Sequence, residues 1–358
     1  MILLQYNRQD LNYTKGTEGD MRMQRIAFCM DRKNGDGCVA AFLGQILKAA
    51  GYTTACLVGT GKKREHLRIS GRAVSRKMWE SLGEEPAQAS TKKKLELLEQ
   101  KNPQILLWIG EGEEWEKIPK EDTAWKIFWE NQWNVQSGKV WHGVRKQRFD
   151  YLGPGKLIKN VELDMPGDWQ VENTATAIAL AYAISLEIPG TGIDEKKIRK
   201  GIANTHCEGC LEQLRNRPSI WMDRAATPKA AELLWNSVRR IAGNRPVIGI
   251  LGLERKEETA EFLKEFCSPA QILFTMSTEK GYGAYELAEM VRGFQPNVTA
   301  VDSPEEALEI ARLFAGEGQT TASEMPLLLI VCPRELQEKM RKVISDWKMP
   351  HSWPHQKL

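Results

Sequence analysis

Apolar residues recur along this chain with two periods, and the change between them marks its elements. Residues 25–30, RIAFCM, form a short apolar run suited to a buried strand. A glycine-containing segment, 31–37, follows. Val39, Phe42, Leu43, Ile46, Leu47 and Ala50 then recur at helical spacing, and Gly51 supplies a stop. Residues 53–58, TTACLV, predict the next strand. Strand, glycine loop, helix and strand make a βαβ unit with parallel strands. Residues 75–102 read as helical and heavily charged, with Lys92, Lys93 and Lys94 on a solvated face. Residues 105–109 read as a buried strand, and 121–165 as short strands among Trp, Lys and Gly. Residues 171–188 predict an alanine-rich helix stopped by Pro189 and Gly190, and 194–203 a short helix.

From about residue 218 the alternation becomes regular. Strands are predicted at 219–223, 246–252, 271–275, 298–301 and 326–332. Each precedes a helix, at 228–242, 257–266, 284–292, 303–315 and 334–348. Five such repeats predict an open, doubly wound parallel sheet. Pro189, Gly190, Gly192, Gly201 and Gly209 make 189–217 the expected hinge. The division is therefore an N-terminal arm (1–24), a nucleotide-binding-type domain (25–188), the hinge (189–217), a Rossmann-like domain (218–348) and a tail (349–358).

Composition narrows the function classes. With 50 Lys+Arg against 47 Asp+Glu in 358 residues, the net charge is +3. That balance gives no electrostatic reason to expect nucleic acid or an anionic membrane as partner. No apolar run approaches the ~18 residues a membrane span needs. The start of the chain lacks the pattern of a secretory signal. Seven scattered cysteines do not read as a disulfide scaffold, so a cytoplasmic location is expected. Cys207 and Cys210 form a Cys-x-x-Cys, but no second pair completes a zinc site. Of the 12 tryptophans, Trp108, Trp115, Trp125, Trp129 and Trp133 cluster in sequence. They fit either a filled core or a partner surface.

The glycine loop sits where a phosphate loop sits, between a strand and a helix whose N–H groups favour an anion. The spacing G-x-x-x-x-G-K-[ST] is not present. Residues 34–52, NGDGCVAAFLGQILKAAGY, nevertheless resemble the start of folylpolyglutamate synthases of the Mur ligase superfamily, where a GTNGKGS loop leads into a similar helix. Residues 65–75, EHLRISGRAVS, resemble that family's ERIRINGxxIS. Residues 167–177, GDWQVENTATA, resemble GxHQxxNAxxA. Residues 201–212 are similar to GLxx…WPGRLE, and 223–228, DRAATP, to DGAHNP. The five matches stand in the family's order. They imply an α/β fold: a truncated N-terminal P-loop-like Mur ligase central domain, then a C-terminal Rossmann-like doubly wound domain.

The resemblance implies an ATP-dependent ligation in which a carboxylate is phosphorylated and an amino acid, glutamate in this family, displaces phosphate. It places nucleotide contacts at Lys33, Asn34, Gly35, Gly37, Asn173 and Asp223. It also shows what is missing. The loop lysine is Asp36, which repels a phosphate. The loop serine is Cys38, a poor ligand for Mg²⁺. The Mg²⁺-holding glutamate falls at Trp108, the histidine of HQ at Trp169, and the arginine of PGR at Cys210. The histidine and asparagine of DGAHNP are Ala226 and Thr227. The block with a metal-binding histidine and a lysine is missing between Glu113 and Gly167, where His142 is the sole histidine. Gln170, Asn173, Asp223 and Pro228 remain. Two readings follow. In one, the protein is non-catalytic or altered and binds a small-molecule ligand or protein partner in the interdomain cleft or at the Trp-rich face. In the other, it is an active ligase of a folate-like or other carboxylate, using ATP and Mg²⁺, with Lys33 replacing the loop lysine. No catalytic residue and no metal ligand is assigned, and in the first reading no cofactor is required.

Overall fold

Strand β1 (Gln24–Met30) leads to helix α1 (Asp36–Ala49) and strand β2 (Thr54–Val58). This is the expected βαβ opening. The computed structural model describes residues 24–30, 36–59, 61, 64–110, 125–129, 136–153, 156–187, 192–314 and 325–346. The arm before Gln24 and the tail after Asp346 lie outside them. Val39, Phe42, Leu43, Ile46 and Leu47 of α1 are all buried, as their spacing requires. Gly51 ends the helix at φ +98°, a conformation that favours glycine.

The described chain divides into two units. The first comprises residues up to 142, 146–164 and 169–206; the second comprises 143–145, 165–168 and the chain from 207. In the first unit β2 is followed by β3 (Leu67–Ile69), β4 (Arg72–Ala73), helices α2 (Arg76–Glu80) and α3 (Thr91–Glu99), β5 (Ile105–Gly110) and β6 (Trp125–Trp129). The sheet order is β4-β3-β2-β5-β1-β6. β2, β5, β1 and β6 are parallel, and β3 and β4 add an antiparallel edge. The charged stretch 75–102 is two short helices rather than one. Ser75 and Ser90 cap them through Met78 N–H and Lys93 N–H, and Gly83 at φ +125° separates them. One of its lysines departs from expectation. Lys94 is buried, with Nζ donating to the Ala87 carbonyl at 2.9 Å and its stem packed near Gly61. A lysine can lie inside when its stem is packed and its ammonium finds a carbonyl.

The Trp- and Gly-rich stretch gives β6 to the main sheet. It then forms a separate antiparallel sheet of β7 (Gln136–His142), β8 (Gln147–Gly153) and β9 (Lys156–Leu163). Helices α4 (Trp169–Glu187) and α5 (Glu195–Ala203) both pack against α1. The α1–α5 approach is close: a Cβ on Gly201 would stand 2.4 Å from Ile46 Cα. The segment expected as hinge thus contains an ordered helix tied to the first unit. Its later part belongs to the second unit, where β10 (Glu212–Arg215) pairs antiparallel with the next strand.

The second unit runs β11 (Ser219–Asp223), α6 (Pro228–Ala242), β12 (Val247–Leu251), α7 (Thr259–Cys267), β13 (Ile272–Met276), α8 (Ala284–Arg292), β14 (Val298–Val301), α9 (Pro304–Phe314), β15 (Leu327–Val331) and α10 (Arg334–Asp346). The order is β10-β11-β15-β12-β13-β14, with β11 to β15 parallel. Their near-continuous apolar sequences reflect burial on both faces. Ile220, Met222, Ile250, Phe274, Ile330, Leu336 and Met340 share one core. The last strand, β15, enters between β11 and β12, so Asp223 at the end of β11 lies beside Val331. In such sheets ligands gather at the carboxyl ends of the strands. No described helix is long and apolar enough to cross a membrane.

Candidate functional site

In the first unit the candidate site lies at the start of α1. Lys33, Asn34 and Gly35 fall outside the described residues, as does the Asp36 side chain. Gly37 is in the first turn of the helix, and the next residue, Cys38, is buried. Gln170 and Asn173 project from one face of α4, three residues apart. The three residues bond to one another: Gln170 Nε2 donates to Cys38 Sγ at 3.6 Å, and Asn173 Nδ2 donates to Gln170 Oε1 at 3.2 Å. All three are buried. Asn173, expected to contact a nucleotide, spends its side-chain amide donor on Gln170 in this structure.

A cation that the sequence reading passed over stands beside this network. Arg68, on β3, is buried, and its Nη2 lies 3.7 Å from where a Cβ on Gly37 would stand. Nη1 donates to the Gly71 carbonyl at 2.8 Å, and Nε has no hydrogen-bond partner. A buried guanidinium thus faces the first turn of α1, the end of a helix that attracts anions. Arg68 also acts on Cys56 across the β2–β3 pair. Burial pushes that thiol up to about 12, and the guanidinium opposes the rise. The arginine was visible in the motif of residues 65–75, but only strand pairing shows which way it faces.

Trp108 decides the metal question at its own position. It lies on β5, buried in a cluster with Leu57, Leu67, Leu98 and Leu106. Its indole Nε1 donates to the Gly59 carbonyl at 2.9 Å, and its ring covers Gly110. An indole is a donor without an oxygen ligand, and Cys38 offers a thiol where a hydroxyl is wanted. The residues present here do not fit a Mg²⁺ site. Trp108 fills core, while the side chains of Trp115, Trp125, Trp129 and Trp133 lie outside the described residues. Among the described residues no three His, Cys, Asp or Glu side chains are grouped to hold a metal.

In the second unit the site is built around Asp223. Its carboxylate is buried at the end of β11, where Oδ2 accepts from Leu211 N–H at 2.6 Å and Oδ1 from Ala225 N–H at 2.7 Å. Burial raises its pKa to about 7, and the nearby charge of Cys210 adds to the rise. The two N–H groups and the Arg224 guanidinium oppose it. Thr227 caps α6 by accepting from Ala230 N–H at 3.3 Å, with Pro228 in the first turn. The positions of the lost histidine and asparagine are thus absorbed into a helix start. At the turn before β10, Arg224 Nη2 donates to Cys210 Sγ at 3.0 Å. In the resembled motifs, Cys210 falls at the arginine of WPGRLE and Arg224 at the glycine of DGAHNP. A guanidinium thus stands at this corner, supplied from the end of the neighbouring strand. Sequence alignment by motif missed this, because it compares positions singly.

Comparison with known proteins agrees with this architecture. The glutamate ligase domain of Mur ligases matches residues 211–322. A folylpolyglutamate synthase of Lacticaseibacillus casei is 27% identical over 206 residues, which are 54% of this chain and 46% of that protein. The match therefore spans about half the length of this curated relative. Among solved structures, folylpolyglutamate synthase of Mycobacterium tuberculosis, complexed with ADP and AMPPCP, superposes with a TM-score of 0.70 at 14% identity, covering 92% of both chains. That of Thermotoga maritima gives 0.64 at 18% identity, covering 92% and 91%. These structural likenesses establish a shared fold, a truncated P-loop-like domain followed by a Rossmann-like one. The matched glutamate ligase domain and the curated relative add a sequence likeness to Mur ligases over the second unit and to folylpolyglutamate synthase over about half of the chain.

Proposed function

We propose that this protein is a divergent folylpolyglutamate synthase-like member whose ATP-dependent chemistry is lost or altered, and that it binds a small-molecule ligand or a protein partner. Trp108 carries the reading. The position that the resemblance gives to a Mg²⁺-holding glutamate is a buried indole bonded to Gly59. The inward-turned Cys38–Gln170–Asn173 network supports it, since those groups satisfy one another. No disulfide joins the described cysteines, in keeping with a cytoplasmic setting. Calorimetric titration of the full chain with Mg-ATP tests the proposal. The expected result is no saturable heat up to millimolar nucleotide. Micromolar binding, with ADP release dependent on an added amino acid, would overturn it.

A second reading, an active carboxylate–amine ligase with rearranged cations, is favoured by the two arginines. Arg68 faces the start of α1, and Arg224 stands at the end of β11. In that reading ATP and Mg²⁺ are the cofactors and a folate-like or other carboxylate is the substrate. The same titration separates the two.

A further inference from the structure

The Cys-x-x-Cys of residues 207–210 is not used by either reading, and its surroundings set it apart. Cys207, Glu208, Gly209 and Cys210 form a tight turn closed by Cys210 N–H donating to the Cys207 carbonyl at 3.3 Å. Gly209 takes φ +67° at the third position, as one common turn type requires. A Cβ there would also strike Gln337 at 2.3 Å, so the turn sits directly on that side chain. Gln337 is itself fixed, donating to the carbonyls of Asp223 and Cys332. Such a turn keeps its first and last Cα atoms within ~7 Å, a separation a disulfide can span.

The six described cysteines differ sharply in access. Five are buried, and Cys210 is the one partly open to solvent. Burial also pushes the Cys56 and Cys267 thiols up to about 12 and that of Cys332 higher still, so those sulfurs stay protonated and inert. Cys210 instead has the Arg224 guanidinium 3.0 Å from its sulfur. The other charged groups around the turn are largely engaged. Glu212 accepts from Gly209 N–H and from Arg341, and Glu208 lies 3.7 Å from Arg334. Asp223 holds its proton up to about pH 7.

We propose that Cys210 is a nucleophilic thiolate stabilised by Arg224, and that Cys207 is its resolving partner in a reversible disulfide. The oxidant is a low-molecular-weight disulfide of the glutathione class. Cys210 Sγ attacks one sulfur of that disulfide and releases the other half as a thiolate. Cys207 then loses its proton, attacks Cys210 Sγ in the mixed disulfide and releases the second thiol. The two cysteines give up two electrons and two protons, and the small disulfide gains them as two thiols.

Site-resolved alkylation of the full-length protein with iodoacetamide across pH 6–9 tests the first claim. Cys210 is expected to react first, with a midpoint at least a unit below the ~8.5 of free cysteine, or roughly tenfold more thiolate at pH 7. Arg224→Gln is expected to move that midpoint up by about a unit, and Arg224→Lys to restore most of it. A wild-type midpoint at or above that of free cysteine overturns the proposal, even if Arg224→Gln does not fold. The second claim is read by mass spectrometry after equilibration with reduced and oxidised glutathione. A Cys207–Cys210 disulfide is expected, and Cys207→Ser is expected to stop at a glutathione adduct on Cys210. Absence of the intramolecular disulfide in fully oxidised glutathione overturns the pairing.

Discussion

In the second unit Asp223 ends its strand, Pro228 opens its helix, and a guanidinium stands in the corner between them. In the first unit Trp108 is buried and bonded to the Gly59 carbonyl, and Cys38, Gln170 and Asn173 bond to one another. One unit holds a charged corner, and the other holds a packed indole and a closed polar network. The difference teaches that a fold and its chemistry are held by different residues. Parallel sheets persist through their apolar strands and close glycine approaches, which do not depend on whether a phosphate is bound.

The comparison can be broken most forcefully at Trp108. Trp108→Ala is expected to cost about 3–5 kcal/mol, the usual range for removing a buried aromatic side chain. Hydrogen exchange read by mass spectrometry should show protection lost in β2 and β5 while β12 and β15 keep theirs. Equal loss in both sheets would remove the distinction between a unit held by packing and one built around a charged corner.

The next largest effect concerns Asp223. Its folded pKa of about 7 lies above its ordinary 3.8. The unfolded chain therefore releases this proton first. The contribution to stability is full below about pH 4 and is lost as pH rises towards 7, to the extent of ~4 kcal/mol by linkage. Asp223→Asn is expected to flatten this part of the pH dependence, read as denaturation midpoints at pH 5 and pH 7.5. An unchanged slope would mean that the carboxylate is ionised in the folded protein and that the corner is more polar than its burial implies.

The smallest effect sharpens the account of Thr227. If it serves as the cap of α6, Thr227→Ala should lower stability by about 1 kcal/mol in denaturant unfolding. Thr227→Asn, which restores the residue type of the motif, should be nearly neutral. A larger loss in the asparagine variant would point to a role beyond the cap.

Much of the fold was legible because burial writes itself into periodicity. Val39 to Leu47 announce α1, and the five apolar strands of the second unit announce a doubly wound sheet. Pairing was less legible. Nothing in residues 121–165 separates β6, which joins the parallel sheet, from β7 to β9, which form their own. Strand partners are set by long-range hydrogen bonds that leave no local pattern. The same limit applied to 189–217, where glycines suggested a hinge. Gly201 is there for a different reason, since its missing side chain lets α5 approach Ile46.

The sequence by itself determined the element order and the buried faces, because each is a property of a residue and its near neighbours. Tertiary structure alone decided which cations stand at the two candidate sites. Arg68 reaches the start of α1 from β3, and Arg224 reaches Cys210 from the end of the neighbouring strand. Both juxtapositions depend on strand register and turn geometry. A charge acts through distance in space, and the chain records distance only along itself.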